Sequence, residues 1–125
     1  MADRPLPRIL VGAAVAQAAL YLGTGIWPLV SLSSFEAVTG PKTDDWLVQT
    51  FGLLVAALGA VFLVAAVRRR LSVELAVLAI SCALCLAFAD VLFVSQGRIS
   101  PVYLVDAAAE ALLAVWWSAG LWRHR

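Results

Sequence analysis

The sequence predicts an all-α integral membrane protein, a four-helix bundle with both termini in the cytoplasm. Three observations carry this reading. The chain of 125 residues is 63% hydrophobic, with a mean hydropathy of +0.95, where a soluble domain has about 45–50% apolar residues. The apolar residues gather into four blocks, each long enough to cross a ~30 Å hydrocarbon core. Arginines collect at the ends of alternate blocks, which orients a multi-pass chain. A single transmembrane domain takes residues 1–125, with spans at about 9–27, 46–67, 73–94 and 102–122.

The first span follows the polar start MADRPLPR. A cleaved signal peptide is the competing reading, because Ala14-Val15-Ala16 resembles a cleavage site. The apolar run before it, Ile9–Ala13, is shorter than the usual ~7–15 residues, so an uncleaved span is expected. Pro28 ends this span or kinks it. The longest loop, Leu29–Asp45, has Glu36, Lys42, Asp44 and Asp45 as its charges, and Ser34–Val38 within it suits one amphipathic turn at the interface.

Asp44 or Asp45 is placed to cap the second span, which begins near Trp46. Arg68-Arg69-Arg70 stops it. Ser72 and Glu74 open the third span, and Ser95–Ser100 is a tight polar turn. Ser100-Pro101 then starts the fourth span, a hydroxyl cap followed by proline at the first helical position. Arg123, His124 and Arg125 close it.

Counting basic residues sets the orientation. Arg4, Arg8, Arg68, Arg69, Arg70, Arg123 and Arg125 lie at the two ends and in the middle loop, against Lys42 and Arg98 in the other two loops. Seven against two puts both termini and the middle loop inside the cell, in a multi-pass protein of the inner (cell) membrane. Trp27 and Trp46 then mark the outer interface, and Trp122, with Trp117, the inner one. Gly52, Ala56 and Ala60 form a small-residue stripe on the second span, as do Ala79, Ala83 and Ala87 on the third. Such stripes let helix backbones approach closely where lipid leaves no hydrophobic force between helices.

Several functions are disfavoured. No basic patch with interleaved aromatics is present, which argues against nucleic-acid binding. One His and two Cys provide no conventional metal set. No cofactor and no catalytic residue is indicated. Cys82-Ala-Leu-Cys85 has the spacing of a redox pair, but both lie at mid-span. Cβ atoms at i and i+3 of a helix are ~5–6 Å apart, while a disulfide needs ~3.8 Å. Packing is their expected role.

The polar residues inside the spans are more informative. Asp106 and Glu110 share one helix face, about 8 and 15 Å inside the fourth span. That puts Glu110 near the bilayer midplane, where an acid is costly unless it faces protein or water. Gln17, Tyr21 and Thr24 share a face of the first span, and Asp90 lies one turn below the outer end of the third. Gln49 and Thr50 add polar groups on the second. Two arrangements suit this convergence. One is a polar cavity open to the outside, floored by Glu110 and Gln17. The other is a hydrogen-bonded network that fixes the bundle, with Gln17 as a partner for Glu110. Three acids favour the cavity, because crowded carboxylates need a cation or a bound proton. Arg98 is placed to pair with Asp90 or Asp106, or to remain solvated.

Two passages carry a family likeness. One is Gly23-Thr-Gly-Ile-Trp-Pro28 with Phe35, Gly40-Pro41, Gly52 and Gly59. The other is Ala89-Asp90 followed by Gly97–Ala107 and Glu110. Together they resemble the DoxX-like small four-span bacterial membrane proteins. The resemblance implies a four-helix membrane bundle. Some relatives are linked to quinone or thiol oxidation, but no catalytic residue carries over. A second likeness, to the four-span sterol-isomerase and sigma-2-receptor group, rests only on acids held in a membrane cavity.

The sequence therefore leads to the expectation of a small cationic or amphiphilic ligand bound in the outer leaflet by Asp90, Asp106, Glu110, Gln17 and Tyr21. An enzyme is the less favoured class. Competing readings are an accessory subunit of a larger membrane complex, or a proton-coupled transporter acting as a homo-oligomer. Inverted repeats would favour transport, and none is evident.

Overall fold

A computed structural model describes residues 4–124. Its elements in order are β1 (Arg4–Pro5), α1 (Arg8–Val30), α2 (Leu32–Thr39), α3 (Asp45–Arg68), β2 (Arg70–Leu71), α4 (Val73–Ser95) and α5 (Tyr103–Arg123). The chain is all-helical apart from the two-residue strand pair. Helices α1, α3, α4 and α5 are each long and apolar enough to cross a membrane. Arg125, counted above among the basic residues, lies outside the described residues.

Local chemistry explains most of the helix ends. The Ser72 hydroxyl caps α4, accepting from the Leu75 amide at 3.1 Å. Neither aspartate caps α3 through its side chain: Asp44 stands at the cap position without such a bond, and Asp45 is already in the first turn. Nor does Ser100-Pro101 begin α5. The Ser100 hydroxyl does accept from the Val102 amide at 3.3 Å, the bond of an N-cap, but the turn it caps is not α-helical. The amides of Tyr103, Leu104 and Val105 each bond three residues back. This tighter turn satisfies the first amides before α-helix begins at Tyr103. Pro28 does not end the first span, which continues to Val30. It is buried in the last turn, packed over Gly52.

Helix α1 lies along α3, α4 lies along α5, and α1 also packs on α5, joining the two pairs. The α1–α3 contact depends on absent side chains. A Cβ at Gly25 would stand 2.6 Å from both the Gly52 carbonyl oxygen and the Ala56 nitrogen, and one at Gly52 would stand 2.5 Å from the Gly25 oxygen. The two backbones touch, which is how helices gain dispersion energy in lipid. The face of α3 that does this differs from the expected stripe. Gly52, Val55 and Gly59 are buried, but Ala60 is exposed. Eight residues advance a helix by about 80° beyond two full turns, whereas seven return to within about 20°. On α4 the expected stripe is partly buried, with Ala79 and Ala83 fully so.

Leu10, Ala13, Tyr21, Phe62 and Trp117 form the centre of the core. Tyr21 and Phe62 meet edge to face, 5.7 Å between centroids. Trp117 does not mark an interface. It is fully buried, because its indole N–H finds an acceptor inside the bundle. Trp122, by contrast, is 67% exposed.

The sequence did not announce β1 and β2. Arg4 pairs with Leu71 and Pro5 with Arg70, antiparallel. The Leu6 amide adds a bond to the Arg69 carbonyl at 2.8 Å. This ties the start of the chain to the α3–α4 turn. Gly120 of α5 packs against Leu10 of α1 at the same end. The opposite end holds α2 and the polar residues.

Candidate functional site

At that opposite end lies a cavity of about 460 Å³. Helix α1 brings Tyr21, Thr24 and Trp27 to it, the α2 segment brings Phe35, Thr39 and Lys42, α4 brings Asp90, and α5 brings Tyr103, Asp106 and Glu110. The rest of the lining is apolar, including Leu20, Val55 and Leu86. The position of α2 follows from its contacts. Phe35 packs edge-on against Trp27, 5.4 Å between centroids, and Trp27 Nε1 donates to Ser34 Oγ at 2.9 Å. This folds the two turns of α2 over the end of the bundle.

Four of the five residues expected to hold a ligand line this cavity, and the fifth stands behind it. Gln17 is fully buried and does not line it. Its Nε2 donates to the Ala79 carbonyl at 3.0 Å and to Tyr21 Oη at 3.2 Å. Its Oε1 accepts from Trp117 Nε1 at 2.8 Å. Both amide donors are thus satisfied within the protein. Tyr21 Oη passes the chain on, donating to Glu110 Oε1 at 2.8 Å. Gln17 and Glu110 are therefore not direct partners, because the longer tyrosine side chain reaches between them. The network and the cavity coexist: Trp117, Gln17 and Tyr21 orient Glu110, and Glu110 forms part of the wall.

Asp90 is in a different condition. It is 8% exposed, and its Oδ2 is buried with no hydrogen-bond partner. Asp106, one helix away and half-buried, has its carboxyl within hydrogen-bonding reach of Asp90. A buried carboxylate oxygen without a donor is costly. Arg98 does not relieve it. Arg98 is exposed and lies over the Phe93 ring, 5.2 Å from its centroid, in the same turn. Stacking there keeps the guanidinium in water, whereas reaching Asp90 would bury it.

The cation at the cavity is Lys42, which the sequence showed only as a loop charge. Its Nζ donates to the Gly40 carbonyl at 2.7 Å and to the carbonyl and hydroxyl of Thr39, both at 3.1 Å. It stands 5.7 Å from the Phe35 centroid and 5.3 Å from that of Tyr103. Two aromatic faces and three oxygens thus form a seat for an ammonium group at the cavity wall. No local spacing signals this, because Tyr103 meets Phe35 and Lys42 only through the tertiary fold.

The other sequence candidates lie elsewhere. Thr50 is exposed and bonds the Trp46 carbonyl of its own helix. Gln49 is half-buried and outside the lining. Cys82 and Cys85 are free thiols, half-buried and exposed respectively. No group of His, Cys, Asp or Glu among the described residues is arranged to hold a metal ion. Compared with family models, curated proteins and solved structures, the chain matches none of them.

Proposed function

We propose that the protein is a multi-pass protein of the cell membrane, with both termini in the cytoplasm, that binds a small cationic amphiphile. The ammonium group would lie among Asp90, Asp106 and Glu110, and the hydrocarbon part against Leu20, Val55 and Leu86. The observation that carries this reading is the buried, unpartnered Oδ2 of Asp90 in a cavity that also holds Asp106 and Glu110 and whose remaining wall is largely apolar. A primary ammonium supplies donors and positive charge together, and so offsets the desolvation of the acids. The apolar lining disfavours a small hydrated cation. Access is from the outer leaflet, since the cavity lies at the end away from the arginine-rich turn.

The ligand class is tested by thermal unfolding in a mild non-ionic detergent, with dodecylamine or dodecanol added. The amine should raise the midpoint and the alcohol should not. Equal shifts would show that the cavity reads only hydrocarbon. Orientation is tested by labelling single cysteines placed at Lys42 and Arg69 in intact cells. Only position 42 should react from outside; reaction at position 69 would reverse the topology.

The network of Trp117, Gln17 and Tyr21 favours a second, structural role for Glu110. Two of its side-chain bonds join α1 to α5, and Gln17 also reaches the Ala79 carbonyl of α4. The two roles separate by mutation, because only binding requires a carboxylate.

A further inference from the structure

The molecule has a second hollow, at the arginine end. It measures about 480 Å³ and lies between α3 and α4. Helix α3 packs chiefly on α1 and α4 on α5, which leaves their facing sides apart. Val64, Ala65, Leu75 and Leu78 form its apolar wall, and Arg68 and Arg70 stand at its rim with Ser72 and Glu74. We propose that this groove binds one anionic phospholipid, with the phosphate between Arg68 and Arg70 and the upper part of an acyl chain along the apolar wall. The proposal rests on membrane insertion and is independent of the acidic cavity.

The geometry singles out two of the three arginines. Arg69 adopts the left-handed conformation, φ 54°, and its amide bonds back to the Ala65 carbonyl. This sharp reversal puts Arg68 and Arg70 on one rim and leaves Arg69 off it. Arg70 is further fixed because its backbone pairs with Pro5. Both rim arginines are exposed. Their planar guanidinium groups match phosphate oxygens in pairs. With Glu74 on the same rim the net charge is +1, complementary to a single phosphodiester. The apolar wall runs from Val61 to the rim, ~10 Å along the helix axis. That wall is what commits the groove to a lipid rather than a dissolved anion. Basic pockets between spans at the cytoplasmic face are suited to anionic headgroups on general grounds.

The test is native mass spectrometry of the full chain in detergent, offered equal amounts of phosphatidylglycerol and phosphatidylcholine with matched chains. Phosphatidylglycerol should be retained preferentially. Arg68→Gln with Arg70→Gln should weaken its retention about 30-fold, the effect of two interfacial arginines. Arg69→Gln should leave it close to the parent value. Leu78→Phe keeps every charge but fills the groove, and should also lose the lipid; this variant decides the matter if the double arginine variant does not fold. Equal retention of the two lipids, an Arg69→Gln loss as large as that of the double variant, retention by Leu78→Phe, or displacement by millimolar inorganic phosphate would each overturn the proposal.

Discussion

The Tyr21 hydroxyl donates to Glu110 Oε1 at 2.8 Å, joining α1 to α5 at the floor of the cavity. Removing the donor with Tyr21→Phe should cost about 1 kcal/mol and also leave one Gln17 donor unmet. Glu110→Gln keeps the shape and can still accept from Tyr21, so it should unfold within about 0.5 kcal/mol of the parent. It should nevertheless bind the alkylamine less tightly. Thermal unfolding and amine titration of the two variants distinguish the roles. A Glu110→Gln protein that binds normally would leave Glu110 with only its structural role.

The glycines of α1 offer an internal contrast. Gly25 touches the α3 backbone, while a Cβ on Gly23 would meet nothing within 4 Å. Gly25→Ala must push the helices apart and should cost about 1–3 kcal/mol. Gly23→Ala only removes backbone freedom and should be neutral or stabilising, by up to about 1 kcal/mol. Chemical unfolding in detergent measures both. Similar effects at the two positions would contradict the close α1–α3 approach.

Lys42 occupies an ammonium seat at the wall of the cavity. Under the binding reading it repels an arriving cation and competes for the Phe35 and Tyr103 faces. Lys42→Met should therefore tighten alkylamine binding about threefold to tenfold, corresponding to a cation–π seat of ~1 kcal/mol. Weaker binding in this variant would mean that Lys42 contacts the ligand favourably, pointing to a zwitterion.

Glu36, in α2 and outside the spans, has its carboxyl held above the usual value of 4.5 by the neighbouring Asp45 carboxyl and by desolvation, against a smaller opposing effect of Lys42. The folded state then binds the proton more tightly than the unfolded state. The associated stabilisation is complete below the unfolded value and is lost as pH rises through the folded value. Amide exchange of Phe35 and Gly40, corrected for intrinsic rates, should show α2 loosening as pH rises from about 4.5. Glu36→Gln should abolish that dependence, and its persistence would assign the change to another group.

The four long helices were legible in the sequence because apolar block length and the placement of the arginines agree. Asp106 and Glu110 on one face of the fourth span were legible too, since helical spacing fixes which residues share a face, and both line the cavity. What was not legible depended on rotation and tertiary contact. Gln17 and Trp117 turned inward to each other, an orientation set by packing rather than by depth. Ala60 fell off its stripe through helical drift. The β1–β2 pair joins residues too far apart in sequence for any local pattern, and Lys42 acquired its aromatic neighbours only when α2 folded over α5. Arg98 had two acids within nominal reach and stacked on Phe93 instead, where its charge stays hydrated.

The most direct test of the central claim is alkylamine affinity with and without the Asp90 charge. Dodecylamine is titrated into the protein in lipid nanodiscs, with the part of the tryptophan fluorescence change that Trp27→Phe removes as the signal, Trp27 being at the cavity wall. The parent should show a saturable site. Asp90→Asn should weaken it about tenfold or more, the effect of losing a charged hydrogen bond. Asp44→Asn, outside the cavity lining, should leave it unchanged. Equal affinity in the parent and Asp90→Asn proteins would contradict the account.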